Sequence, residues 1–219
     1  MPILRSMESR VLPGKRQQWG AVMRDVKKIV DKYGPPLRVL QLQFGGHPGT
    51  VLSASLQEDW NALARRAQQV NADSDYQTLL RSGAMAGLAE AVAVRLAADV
   101  SDEVGGPNAA LTTAKIIQVM AMKVLPGKRA KQIEMIRQMR EARAAAGLTT
   151  ANLLEQVAGD ANVMFLSWGY ADLNAWAHDR AAGQPQGARD IQQRILADPQ
   201  FPFVETLGTR VYADITDQL

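Results

Sequence analysis

Along the first half of the chain, the spacing of hydrophobic residues switches repeatedly between that of a strand and that of a helix. Apolar positions alternate where a strand is expected, then recur every three or four residues where a helix is expected. Turn signals such as Pro13-Gly14 and Gly34-Pro35-Pro36 separate these periods. The pattern predicts strands at 3–11, 37–44, 50–56 and 92–100, and helices within 19–33, 60–67 and 76–80.

The second half repeats this order of periods. The pattern predicts strands at 116–124, 151–157, 162–168 and 209–215, a turn at Gly159-Asp160, and helices within 128–146, 173–177 and 191–196. Val104-Gly105-Gly106-Pro107-Asn108 has the composition of a linker. We therefore predict a first half at 1–103, a linker at 104–112 and a second half at 113–219.

A direct repeat of sequence supports this division. The hexapeptide Val-Leu-Pro-Gly-Lys-Arg at 11–16 recurs unchanged at 124–129, an offset of 113 residues. The same offset aligns Ile3 with Ile116, and an offset of 115 aligns Asp99 with Asp214. A collinear series of matches over a whole half indicates a tandem duplication.

The order β-α-β-β-α-β is that of the ferredoxin-like unit, so the predicted fold class is α+β. Its antiparallel sheet carries helices on one face only, and the other face needs a cover. Two tandem copies can cover each other by packing sheet to sheet. This predicts an intrachain pseudo-dimer, and a further homo-oligomer stays open.

Two segments resemble a known group of proteins, the dimeric α+β barrel superfamily. A strand followed by Leu-Pro-Gly-Lys, at 12–15 and 125–128, is similar to the opening of NIPSNAP-like and antibiotic-biosynthesis-monooxygenase-like domains. The aromatic-rich stretch 163–177 resembles their later strand, turn and second helix. In the first half the corresponding strand, 51–56, has no aromatic residue. The resemblance implies a tandem fusion whose halves differ in role.

The resemblance also implies a ligand and several activities. Members of the superfamily often bind a small apolar molecule between the sheet and the helices. Some oxygenate polyphenols without a cofactor, some isomerise lactones or cyclise polyketides, and some bind haem. An apolar aromatic or polyketide-like substrate is therefore expected, with no cofactor unless the haem alternative holds.

Composition excludes several other classes. The chain has no Cys and two His, which excludes a disulfide scaffold, a zinc ribbon, an iron–sulfur cluster and a three-His metal site. The net charge is +3 and no block of five basic residues occurs, so no nucleic-acid partner is predicted. No signal peptide or membrane span is predicted, and the expected location is cytoplasmic.

The last strand of each half carries candidate acid–base chemistry. Arg95 and Asp99 share one strand face by their even spacing, and Arg210, Tyr212 and Asp214 do the same in the second half. An arginine and a carboxylate placed in this way can bind an anion or transfer a proton. They can equally form a structural ion pair, which repetition in both halves favours.

Aromatic residues and a histidine in the second half are the other candidates. Trp168, Tyr170 and Trp176 fall together at a strand end and a helix start, where they form either a wall for a flat ligand or part of the core. His178 can act as a haem ligand or a base, or it can be a surface residue. Arg5 and Gln118 correspond across the repeat, and they are expected either to line the space between the two sheets or to hydrogen-bond across the seam of the pseudo-dimer.

Three functions remain open at this point. The first is a small-molecule enzyme, a cofactor-independent oxygenase, isomerase or cyclase with its pocket in the aromatic second half. The second is a non-catalytic binding or assembly module. The third is haem binding through His178. No metal site is predicted.

Overall fold

The chain forms two compact units in a computed structural model that describes residues 1–108, 110–159 and 162–219. The first unit consists of Met1–Ala98 with Tyr212–Leu219, and the second of Asp99–Val211. The predicted turn at Gly159-Asp160 and residue 109 of the predicted linker lie partly or wholly outside the described residues.

Each half of the chain contributes four strands. In the first half these are β1 (Ile3–Val11), β2 (Arg38–Phe44), β3 (Thr50–Gln57) and β4 (Ala89–Asp99), with helices α1 (Arg16–Asp31), α2 (Trp60–Ala72) and α3 (Ser74–Arg81). The second half has α4 (Ala110–Thr113), β5 (Ile116–Val124), α5 (Arg129–Ala145), β6 (Asn152–Ala158), β7 (Val163–Tyr170), α6 (Leu173–Ala182), α7 (Gln186–Leu196) and β8 (Val204–Asp214).

Both halves have the strand order of a ferredoxin-like sheet. The hydrogen-bonded order is β4-β1-β3-β2 in the first half and β8-β5-β7-β6 in the second. The central pairs have the same register: Ile3 faces Gln57 in β1–β3, and Ile116 faces Tyr170 in the antiparallel pair β5–β7. The predicted α+β class with two β-α-β-β-α-β halves is confirmed.

The predicted turn and cap chemistry positions the helices. Gly14 and Gly127 adopt φ of 74° and 71° in the turns before α1 and α5, a conformation that glycine reaches without steric penalty. Aspartate side chains cap the N-termini of α2 and α6. Asp59 Oδ1 accepts from the Ala62 amide at 2.7 Å, and Asp172 Oδ1 accepts from the Ala175 amide at 2.8 Å.

Each unit has its own hydrophobic core between a sheet and its long helix. In the first unit, Trp19 and Met23 of α1 pack with Val39 of β2. In the second, Ile133 and Ile136 of α5 belong to a cluster with strand residues of β5, β6 and β7. The helical stripes predicted from the sequence are therefore the buried faces of these helices.

The structure differs from the sequence prediction at three places. Strand β4 begins at Ala89 and β8 at Val204, earlier than the predicted 92 and 209. These early residues are mostly exposed, and their apolar members do not alternate with polar ones in the way that marks a half-buried strand. A 3₁₀ turn, Ser101–Val104, reaches the first residue of the predicted linker, and α4 begins within that linker at Ala110.

The residues that follow β4 and β8 are held by matching contacts. In the second unit, Asp99 accepts from the Ser101 amide at 2.9 Å, and the Ser101 hydroxyl accepts from the Leu153 amide at 3.0 Å. In the first unit, Asp214 accepts from the Thr216 amide at 2.9 Å, and the Thr216 hydroxyl accepts from the Val39 amide at 2.9 Å. The same cap therefore closes both strands.

None of the helices formed by the described residues combines the length and the apolar character needed to cross a lipid bilayer.

Candidate functional site

The aromatic residues predicted from the sequence meet on the helix side of the second sheet. Trp168 of β7 is half-buried, packs against the core of the unit, and faces Gln118 across the β5–β7 register. Trp176 of α6 donates from its indole Nε1 to the Gln118 Oε1 at 2.8 Å. Two tryptophans and one buried amide are thus brought together by strand pairing and one helix.

Gln118 lies on the helix side of its own sheet, and so does Arg5, which faces Ser55 at the equivalent place in the first unit. The expectation that these two residues occupy the space between the sheets is therefore wrong. The sequence pattern shows that the two side chains lie on equivalent faces of their strands. It does not show which face of each sheet the helices cover.

Tyr170 is fixed by a buried ionic network. Its hydroxyl donates to Asp179 Oδ2 at 2.8 Å, and Arg143 Nη2 donates to both oxygens of that carboxylate, at 2.8 and 2.7 Å. Arg143 Nε also donates to the Thr149 carbonyl oxygen at 2.9 Å. Burial, followed by the hydrogen bond to Asp179, raises the pKa of the Tyr170 phenol far above its usual value. This phenol therefore stays protonated and serves as a donor.

Sequence reasoning did not single out Asp179 and Arg143. Only their spacing could have pointed to them. Asp179 lies one helical turn beyond Trp176, and Arg143 is a polar residue in the last turn of a predicted helix. Neither feature distinguishes a buried ion pair from an ordinary solvated helix face.

The same helix side of the first unit has a different chemistry. Ser55 stands where the second unit has Trp168, and Gln57 stands where it has Tyr170, at the same offset of 113 and in the same register. Arg66 of α2 occupies the position of Asp179 and is buried. Positions that carry aromatic rings and a carboxylate in one unit therefore carry hydroxyl, amide and guanidinium groups in the other.

The predicted Arg–carboxylate candidates of the last strands have individual partners. In the first unit, Arg95 Nη1 donates to Glu8 Oε2 at 2.9 Å, and Arg38 donates to Asp214 Oδ2 from Nη2 at 2.6 Å and from Nε at 3.0 Å. Burial raises the pKa of Asp214, but hydrogen bonds from Thr216 and Arg38 outweigh that effect and lower it overall. Asp214 is therefore held as a carboxylate.

The structure does not bring the remaining predicted positions together into one site. Asp99 caps the turn that begins the second unit, and Tyr212 is buried in the first. Arg210 is half-buried near the end of the second unit.

Haem does not fit the histidines of the chain. His178 is exposed on α6, next to the buried Asp179, and His47 is exposed in the turn between β2 and β3, where its Nδ1 lies 3.0 Å from the Pro48 carbonyl oxygen. An axial ligand of an enclosed haem has to point from a buried wall, which neither side chain does. Among the described residues no group of three or more His, Asp or Glu side chains could hold a metal ion.

A separate open cleft of about 450 Å³ lies between α5 and α7 of the second unit. Its floor is apolar, with Met135, Ile195 and Phe203, and its rim carries an ion pair from Lys131 to Asp198 at 2.6 Å. Its volume falls within the range of small-molecule sites. The aromatic residues predicted from the sequence do not line it.

Comparison with known proteins gives a likeness in structure only. No protein-family model matches the chain, and no curated protein matches it in sequence. A chlorite dismutase variant from Candidatus Nitrospira defluvii superposes with a TM-score of 0.57 at 10% identity, over 99% of this chain and 92% of that chain. A heme-binding protein from Thermus thermophilus gives 0.56 at 9% identity, over 97% of this chain and 90% of that chain.

An anthrone oxidase-like protein is a third match, with a TM-score of 0.55 at 14% identity over 97% of this chain and 90% of that chain. At such low identities the likeness shows the fold alone. The matches support the predicted α+β fold, and the resemblance to the dimeric α+β barrel superfamily stays a prediction.

Proposed function

We propose that the chain binds a small apolar molecule, aromatic or polyketide-like, on the helix side of its second sheet. The observation that carries the proposal is the hydrogen bond from Trp176 to Gln118 beside Trp168. Apolar rings around one oriented amide are typical of small-molecule sites, where a few polar groups orient the ligand. Gln118 Oε1 is taken by the indole, which leaves the amide nitrogen to donate to a ligand oxygen.

The ionisable groups support binding more than acid–base catalysis. Tyr170 gives its proton to a hydrogen bond with Asp179, and its raised pKa makes it a poor proton donor to a substrate. Asp214 is paired with Arg38 and remains ionised. Oxygenase, isomerase or cyclase activity therefore depends on the acidity of the substrate and on exclusion of water.

Binding is tested with anthrone, a flat tricyclic ketone suggested by the anthrone oxidase-like neighbour. Trp19 and Trp60 of the first unit contribute background fluorescence. Trp60 is exposed, so Trp60→Phe removes its emission without touching the site, and the buried Trp19 stays as a constant background. In that background we expect anthrone to quench the emission of Trp168 and Trp176 in a saturable way. Trp168→Ala is expected to weaken binding about tenfold, because the ligand loses one stacking partner.

The matched control lies in the cleft between α5 and α7. Ile195→Ala changes that cleft and leaves the tryptophans intact. Unchanged affinity in this variant supports the proposed site. Affinity lost in Ile195→Ala and kept in Trp168→Ala would move the ligand to the cleft and contradict the proposal.

The oxygenase hypothesis has its own readout. Anthrone and O₂ give anthraquinone and water in equal amounts, so a catalysed reaction consumes O₂ in step with the new quinone absorbance. Binding without O₂ uptake favours a binding module. Self-association that buries Trp168 and Trp176, with no ligand effect, favours the assembly alternative.

We also infer that the two halves arose by tandem duplication and then diverged. The identical hexapeptides, the identical central register and the matching caps at Asp99 and Asp214 support this inference. In this view the second half kept an aromatic ligand site and the first half replaced it.

A further inference from the structure

The helix side of the first sheet holds a buried positive charge whose hydrogen bonds are incomplete. Arg66 is 5% exposed, and its Nη2 donates to the Val30 carbonyl oxygen at 3.0 Å. Its Nε and Nη1 are buried and have no hydrogen-bond partner within the described parts of the chain. A guanidinium carries five N–H donors, so three of these are left unpaired away from bulk water. Unpaired buried donors on a charged group are costly.

The nearest carboxylate does not complete this arrangement. Asp31 attracts Arg66 through its charge, but its Oδ1 accepts from the Leu37 amide at 2.7 Å and its Oδ2 pairs with Lys27. Asp31 is thus already used by its own helix and by the start of β2. The Val30 carbonyl lies at the end of α1 and carries partial negative charge, but it accepts from only one N–H group of Arg66.

A second arginine and two polar side chains lie on the same side of the sheet. Arg5 faces Ser55 across β1–β3, and the Gln57 amide nitrogen donates to the Ser55 hydroxyl at 3.2 Å. Burial lowers the pKa of Arg66, Asp31 opposes that shift, and the charge of Arg5 adds to it. Two like charges are therefore close enough to repel each other, and a negative group between them would relieve the repulsion.

Gly34 leaves one flank of Arg66 without a side chain. Its φ of 149° lies in a region that other residues rarely adopt, and a Cβ there would stand 3.4 Å from Arg66 Cδ and 3.5 Å from Gln57 Oε1. The backbone after α1 can therefore approach Arg66 closely, because Gly34 has no side chain to place between them.

We propose that the first unit binds an oxyanion, the carboxylate or phosphate group of a small molecule, between Arg66 and Arg5. Nη1 of Arg66 donates to one oxygen of the anion, and Arg5, which is exposed, approaches the anion from the solvent side. The Ser55 hydroxyl and the Gln57 amide supply neutral contacts. This site is independent of the aromatic site proposed for the second unit.

The proposal is tested by thermal unfolding of the full chain with inorganic phosphate, acetate or chloride at equal ionic strength. Phosphate or acetate is expected to raise the midpoint of the wild type by about 5 °C above chloride near saturation. In Arg66→Met the extra shift is expected to disappear. Arg65→Met is the matched control, because Arg65 is the adjacent residue on α2 and is exposed, so it should keep the full shift.

A second variant keeps the test decisive if Arg66→Met unfolds. Arg5→Gln changes an exposed side chain and is expected to weaken the oxyanion about tenfold, measured by titration calorimetry. A shift with phosphate alone assigns a phosphate group, a shift with acetate alone assigns a carboxylate, and both support the oxyanion site. Equal shifts in wild type and in Arg66→Met, or no shift above chloride in the wild type, would overturn the proposal.

Discussion

The helix sides of the two sheets place different chemistry on the same backbone frame. In the second unit, the position of Asp179 gives a carboxylate that satisfies Tyr170 and Arg143. In the first unit, the same position gives Arg66, whose guanidinium is only partly satisfied. The strand register that the two sheets share therefore sets where a side chain lies. Its hydrogen-bond partners then determine whether a buried charge is fully paired.

The comparison also separates structural ionic groups from candidate ligand groups. Buried charges that are fully paired are costly to break and give little to a ligand. Buried charges with unused donors are costly to keep, so their retention calls for another explanation. By this criterion, the network at Tyr170 stabilises the fold, whereas Arg66 is a candidate ligand group.

The largest expected effect comes from removing the paired carboxylate. Asp179→Ala leaves Arg143 and the Tyr170 hydroxyl without their partner in a buried place. We expect the free energy of unfolding in urea to fall by about 4 kcal/mol. The control is Asp172→Ala on the same helix, which removes an N-cap and should lose only about 1 kcal/mol. Similar losses in both variants would show that the network adds nothing beyond an ordinary cap.

The next effect concerns a second pair of equivalent positions, Trp19 and Gln132. Both lie on the buried face of a long helix, but Gln132 is only 1% exposed and its Oε1 has no partner within the described residues. Gln132→Leu removes this unpaired oxygen, and we expect a gain of about 1 kcal/mol in the free energy of unfolding. A loss would mean that the contact from its Nε2 to the Met122 sulfur, at 3.2 Å, outweighs the unpaired oxygen.

Alkaline pH should weaken the second unit through Tyr170. Its pKa is raised in the folded state, chiefly by burial and then by the bond to Asp179, so its contribution is complete below pH 10.0 and declines as the pH rises further. Tyr170→Phe should lose about 1 kcal/mol at pH 8 and show a smaller decline than wild type above pH 10. Parallel declines in the two proteins would assign the alkaline effect to other groups.

Acid should act on the first unit through a different tyrosine–aspartate pair. Asp73 accepts from Tyr33 at 2.8 Å and pairs with Lys32, and the Tyr33 bond is the main cause that lowers the pKa of Asp73 to about 2. The stabilisation is therefore present above pH 3.8 and is lost as the pH falls towards 2. Unfolding midpoints measured from pH 5 to pH 2 should decline less in Asp73→Asn than in wild type.

The order of strands and helices could be predicted because period and turn chemistry are local. Pro13-Gly14 acts within a few residues of its own position, and the structure confirms that it forms a turn. Asp59 and Asp172 act just as locally, since each accepts from an amide three residues further on. The repeat at an offset of 113 residues was equally visible, since matching hexapeptides can be found without knowing the fold.

The site was only partly predictable because its contacts are non-local. The sequence grouped Trp168, Tyr170 and Trp176, which are close in the chain, but it could not place Gln118 beside them, since that contact spans 58 residues. It likewise could not tell that Arg38, 176 residues away, holds Asp214. Burial of Arg66 follows from tertiary packing alone, because α2 carries arginines at adjacent positions 65 and 66.

The cap after β8 has a consequence for how the protein is made. The first unit includes Tyr212–Leu219, where Thr216 bonds to Val39, whereas the second unit is complete at Val211. Chains emerge from the ribosome starting at the N-terminus, and domains generally fold as units in that order. Here that order does not hold: residues 212–219 of the first unit are synthesised after all of the second unit, so the first unit is completed later than the second.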